Sequence, residues 1–219
     1  MELDGIYDYL LDLFINFQKK PNINPDNLLS ISDDIICSII TEDIKTDISK
    51  GAIIYSLLTD NKQVIDSLFQ MLTAKKDSDL ILFVSDCVVK IAPKNAVSLI
   101  VFLIMQGSLL FRRQLLELLG AIASKEDERI RRLFLRFLKY GDQNTVEGAV
   151  KGAGKLAHLD LISEVVNCLR KHTSEYIRLA CVEVLLSFRE DENINNLLAE
   201  IAENDIYESV RKKIKGIFN

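Results

Sequence analysis

The chain has no tryptophan and only two histidines, His158 and His172, in 219 residues. So few imidazoles, with no dense group of carboxylates or thiols beside them, leave little from which to assemble an active site or metal centre. Turn residues are scarce too. Three prolines and nine glycines cannot punctuate an all-β sandwich, which needs a turn signal roughly every 8 to 12 residues. The four cysteines (Cys37, Cys87, Cys168 and Cys181) show no paired spacing, so they read as small buried thiols of a reducing cytosol rather than a disulfide framework. Long apolar runs are missing as well. The longest, Leu99 to Met105, falls far short of the roughly 20 residues a bilayer requires, and Asp86, Lys90 and Lys94 break the stretch before it. The first residues are acidic (Glu2, Asp4, Asp8) where a secretory signal is basic, and Asp12 interrupts the apolar positions that follow. A soluble, cytoplasmic protein with no membrane segment is the expectation.

What the chain does have is helix-forming composition and an uneven charge. Hydrophobic residues at 48% and charged residues at 27% lie in the globular range and exclude a disordered or collagen-like chain. Residues 1–60 carry eleven acids and four bases, net −7, whereas residues 90–180 carry fifteen bases and nine acids, net +6. The acidic first quarter argues against wrapping nucleic acid along the whole length. The positive middle suits an anionic partner.

Apolar spacing is helical almost throughout. Ile130, Leu133, Phe134, Phe137 and Leu138 recur at i, i+3, i+4, i+7 and i+8 and so share one helix face. Short polar breaks such as Thr59-Asp60-Asn61 and Ser124-Lys125-Glu126-Asp127 separate segments of this kind. Six segments begin alike, at Ile48, Leu80, Phe111, Val146, Ile177 and Val210, which lie 32, 31, 35, 31 and 33 residues apart. Between successive starts fits one further amphipathic helix: Lys62 to Thr73, Asn95 to Gln106, Asp127 to Lys139, Leu159 to Lys171 and Glu192 to Glu203. A fixed period of this size marks a stack of two-helix units rather than a single globule.

These repeats resemble HEAT repeats, in the short form in which the first helix opens with an apolar residue and arginine followed by Ala and Leu-Gly positions. The closest matches are Ile177-Arg178-Leu179-Ala180, Val210-Arg211, and Phe111-Arg112 with Leu118-Leu119-Gly120-Ala121. Asp142 and Asp205 look like the acidic turn residue of such repeats. Glu147, Ser49 and Ile81 stand where the arginine is expected in three of them. The resemblance implies an all-α, right-handed superhelical solenoid of about six helix pairs, with residues 44–219 as one continuous array. Residues 1–43 form an N-terminal cap: a helix from Leu3 to Gln18, a break at Pro21 to Asp26, and a second helix from Asn27 or Leu28 to Ile40. A terminal repeat needs such modification because nothing covers its outer face.

Arg129, Arg132, Arg136 and Lys139, spaced i, i+3, i+7 and i+10, form one cationic stripe opposite Ile130, Phe134 and Phe137. In HEAT-like stacks the second helix of each unit lines the concave surface, so the resemblance puts this stripe in a groove, joined by Lys94, Arg170 or Lys171 from neighbouring units. Arginine's planar fork suits carboxylate or phosphate. The plainer alternative is a solvated face paired locally with Glu126, Asp127 and Glu128. Alkylpurine DNA glycosylases, which resemble HEAT stacks, provide a nucleic-acid precedent, but this chain has no tryptophan for base stacking and an acidic isoelectric point near 5.2.

Cys168 and His172, with Cys181 and His158 nearby, have ligand chemistry for zinc, yet their apolar neighbours Val165, Val166, Ala180 and Val182 favour buried structural thiols. Gly148, Gly152 and Gly154 lie inside a repeat helix and read as a site of close helix approach. Val97 to Met105 is apolar nearly all round. Its neighbours cover it, or Phe102 and Met105 mark a surface for a partner or a second copy. The expected function is a non-enzymatic scaffold that binds a protein partner or acidic peptide at Arg129, Arg132, Arg136 and Lys139. No catalytic residues, cofactor or metal are expected, nucleic acid is the runner-up partner, and a homo-oligomer is open.

Overall fold

The computed structural model describes residues 3–21, 23–42, 46–75, 77–106 and 109–218. Among these the chain is all-α, with thirteen α-helices and no strand. It divides into two compact units, residues 1–111 and 112–219. The expected boundary between residues 43 and 44 falls outside the described residues.

The first unit holds α1 (Leu3–Lys19), α2 (Asp33–Glu42), α3 (Asp47–Thr59), α4 (Lys62–Lys75), α5 (Ser78–Ile91) and α6 (Val97–Gln106). Its helices sort into two layers. Helix α1 packs on α3 and α3 on α5, while α2 packs on α4 and α4 on α6; contacts of α2 and α4 with α3, and of α5 with α6, join the layers. The division between units falls in the first turn of α7 (Leu109–Ile122). The second unit continues with α8 (Glu128–Tyr140), α9 (Gln143–Leu156), α10 (Leu159–Lys171), α11 (Glu175–Leu186), α12 (Glu192–Asn204) and α13 (Glu208–Phe218). Here α9, α11 and α13 pack in series as one layer, and α8 lies against α10 in the other. Each helix expected from the period is present within a few residues of its expected ends.

Aspartates start many of these helices. The side chains of Asp77, Asp127, Asp142 and Asp191 accept backbone N–H groups from the first turns of α5, α8, α9 and α12, meeting donors the helix cannot satisfy itself. Helices α3, α5 and α9 end on residues in the left-handed region, Asp60, Ala92 and Ala157, and each then turns sharply into the next helix. A left-handed residue recurs at the turn between the two helices of three repeats, which writes the period in backbone angles.

The cap differs from expectation in its second helix. Pro25–Asn27 makes a single 3-10 turn, and α2 begins only at Asp33. Two tyrosines hold the intervening chain extended. The Tyr9 hydroxyl accepts from Leu29 N at 3.2 Å, and the Tyr55 hydroxyl accepts from Ile31 N at 3.0 Å while donating to Leu29 O at 2.8 Å. Backbone groups that a helix would pair internally are engaged by side chains from α1 and α3.

Side-chain hydrogen bonds repeat the period in space. Asn61 donates to Asp33, 28 residues away; Lys94 N and Asn95 N donate to Asp60, 34 and 35 away; Arg113 donates to Glu147, 34 away. Further along, Arg131 donates to Asp160, 29 away, and Lys213 to Glu183, 30 away. Each of these bonds reaches one repeat along the chain, as neighbour-only stacking requires.

Close backbone approach joins α7 to α9. A Cβ on Gly120 would lie 2.1 Å from the Gly152 carbonyl oxygen, and one on Gly148 2.7 Å from the Arg113 Cα. The glycines of α9 therefore serve packing. In α6, Leu99, Ile100, Leu103 and Ile104 are buried, and Phe102 meets Phe69 edge-on at 5.5 Å, so neighbours cover most of this apolar helix. Met105 remains 43% exposed. No helix among the described residues is long and apolar enough to cross a membrane.

Candidate functional site

Helix α8 buries Ile130, Phe134 and Leu138, each contributing roughly 2 kcal/mol of apolar transfer free energy. Exposed charge pairs are far weaker, so the apolar face sets the helix orientation and the opposite face goes to solvent. Arg129, Arg132, Arg136 and Lys139 are all exposed on it.

Their surroundings distinguish them. Arg129 pairs with Asp127 at 3.0 Å and Arg132 with Glu128 at 2.8 Å. Hydrogen bonding to Arg129 holds the Asp127 carboxyl below its usual range, and Arg132 and then Arg131 do the same for Glu128. The first turn of α8 is therefore locally compensated. The C-terminal half is not: among the described residues Lys139 has only Glu164 of α10, at 4.0 Å, and Arg136 has no ion pair. Helix α10 packs beside α8 and runs the same way, one antiparallel helix separating them. Its own last turns carry Arg170 and Lys171, both exposed, likewise without an ion pair among the described residues. Arg136, Lys139, Arg170 and Lys171 are thus four exposed cations in the C-terminal halves of two packed helices, Arg170 lying on the side of α10 that faces α12. Of the expected stripe, the structure keeps the C-terminal half as open charge and neutralises the N-terminal half.

A second feature had no signal in the sequence. Helix α10 packs on α8 but makes no comparable contact with α12, and a cleft of about 600 Å³ opens between them. Leu159, Ile162 and Val166 of α10, Ile194 and Leu197 of α12 and Phe188 of the turn between α11 and α12 form its apolar lining. Arg170 stands at one end. Glu190 and Asp191 stand at the other, beside the N-termini of α10 and α12. Leu159 is 82% exposed here. The i, i+3, i+7 spacing of Leu159, Ile162 and Val166 is visible in the sequence, but it is indistinguishable from core spacing until the neighbour is known.

The other candidates resolve structurally. Cys168 and Cys181 share a hydrogen bond, which together with burial pushes the Cys181 thiol up. His158 and His172 accept from Asp160 N and Ser174 N as turn caps, and no three potential ligands converge on a metal-sized site among the described residues. Lys94, expected as a possible neighbour of the stripe, belongs to the first unit. There it lines a cleft of about 350 Å³ that gathers all three prolines, Pro21, Pro25 and Pro93.

No protein-family model matches the chain, and no curated protein matches it.

Proposed function

We propose that the chain is a HEAT-like, non-enzymatic cytoplasmic scaffold whose C-terminal unit receives an acidic protein segment across the ends of α8 and α10. Carrying this reading are the exposed cations Arg136, Lys139, Arg170 and Lys171 on two packed helices, which among the described residues have one carboxylate, Glu164, in an ion pair with them. Desolvated guanidinium forks bind carboxylates bidentately, and a repeat stack offers an extended surface for a segment to follow. The two-layer packing and the hydrogen bonds that reach one repeat along support the HEAT-like assignment.

The test is fluorescence anisotropy with a labelled glutamate-rich peptide, set against a labelled short DNA duplex. The peptide binds the wild-type chain, and the Arg136→Glu/Lys139→Glu variant loses about tenfold or more in affinity while its helical circular dichroism and melting temperature stay near wild type. Equal binding by the variant would overturn the site assignment. Duplex binding that falls steeply with salt, without peptide binding, would replace the reading with a nucleic-acid one.

A further inference from the structure

The flank of α10 turned toward α12 presents Leu159, which is 82% exposed, and half-buried Val166 over a floor of buried Ile162, Ile194 and Leu197. From Leu159 to Arg170 it runs about 17 Å at the helical rise, close to three turns. Its floor is apolar, as described above, while Ser163 and Asn167 form its edge. Phe188 sits half-buried beside it. This length and lining match a short amphipathic helix that presents anchors at i, i+3 or i+4, and i+7.

The ends of the cleft carry opposite charge. At one end, Arg170 and the adjoining Lys171 are exposed cations at the C-terminus of α10. At the other, Glu190 is exposed and has no ion pair among the described residues, while Asp191 is occupied in capping α12. An occupying helix therefore needs acid at the Arg170 end and base at the Glu190 end. Acidic residues favour a helix's own N-terminal turn and basic residues its C-terminal turn, by interaction with the macrodipole. The two requirements coincide in one orientation only: the occupant lies antiparallel to α10, with its acidic N-terminal turn on Arg170 and Lys171.

We propose that the α10–α12 cleft is a docking groove for a short amphipathic helix of a partner protein, apolar on one face, acidic in its first turn and basic in its last, bound antiparallel to α10. This rests on the reading of the second unit as a protein-binding surface and adds the conformation and polarity of the bound segment. The apolar floor supplies the anchor, and Arg170 with the adjoining Lys171 reads the acidic end.

The probe is a capped, leucine-faced helical peptide with glutamates in its first turn and lysines in its last; the control exchanges the two charged turns. Both are titrated into isotope-labelled full-length chain by NMR and measured by anisotropy. The expected result is saturable shifts at amides of residues 159–170 and 187–197, with the probe binding about tenfold or more tighter than the control. Val166→Lys abolishes binding, Glu190→Lys narrows the preference over the control, and Arg136→Glu leaves the amphipathic probe bound. Ser163→Trp, at an exposed position, blocks the groove should Val166→Lys fail to fold. Equal binding of probe and control, shifts confined to α8, or no binding of either peptide overturns the groove. Loss of glutamate-rich peptide binding in Arg136→Glu/Lys139→Glu, with the probe unaffected, separates the fate of the Arg136 and Lys139 site from that of the groove.

Discussion

Arg178 and Asp205 are charged and buried, at 8% and 4% exposure, and their pairing shows how one residue can serve a repeat junction. The Arg178 guanidinium donates to the Asp205 carboxylate through two nitrogens and to the carbonyls of Leu169 and His172 through the third. Asp205 also accepts Tyr207 N at 2.9 Å. Removing one charge leaves the other buried and uncompensated, which costs far more than the intact pair contributes. Asp205→Ala should therefore lower unfolding stability by about 3 kcal/mol, read from urea denaturation. The double change Arg178→Leu/Asp205→Leu should recover most of that loss, because no stranded charge remains. A single mutant within about 1 kcal/mol of wild type would mean that water reaches the pair and the junction is not sealed.

Between elements, glycine position decides the sign of an alanine substitution. At Gly152 a Cβ would lie 2.4 Å from the Leu116 carbonyl oxygen and 2.6 Å from the Phe134 ring, so α7, α8 and α9 would have to separate. At Gly216 in α13 nothing lies within 4 Å. Gly152→Ala should cost at least about 2 kcal/mol through overpacking, while Gly216→Ala should add a few tenths to about 1 kcal/mol from helix propensity. Thermal melts of both variants against wild type check the contrast.

The glycine contact was legible in the sequence as glycines inside a repeat helix, and so were most of the helix ends, because apolar period and short polar breaks are local signals. The extended stretch at residues 28–32 was not. Its shape depends on Tyr9 and Tyr55, distant in sequence, and Leu28-Leu29 alone resembles a helix start. For the candidate site, the positions of Arg136 and Lys139 could be read from spacing. That Arg129 and Arg132 are already paired, and that α10 parts from α12, are facts of tertiary placement that no periodicity encodes.

For the molecule as a whole, the division at residues 111 and 112 makes a claim about where binding resides. Arg136, Lys139, Arg170, Lys171 and the α10–α12 cleft all lie in the second unit, whereas the excess of acid lies in residues 1–60. A stack whose repeats bury their apolar faces against sequence neighbours can be shortened at a repeat boundary and still fold. A fragment of residues 109–219, beginning at the start of α7, retains the α7–α9 glycine contact, the Arg178–Asp205 junction and both candidate surfaces. It should unfold cooperatively, show a helical circular dichroism spectrum, and bind the glutamate-rich peptide within about threefold of the full chain. Because removing the acidic residues also removes long-range repulsion toward an anionic ligand, any change should be toward tighter binding at low salt and should fade as salt screens it. A folded fragment that binds more weakly than the full chain, at any salt concentration, would place part of the recognition surface in residues 1–108.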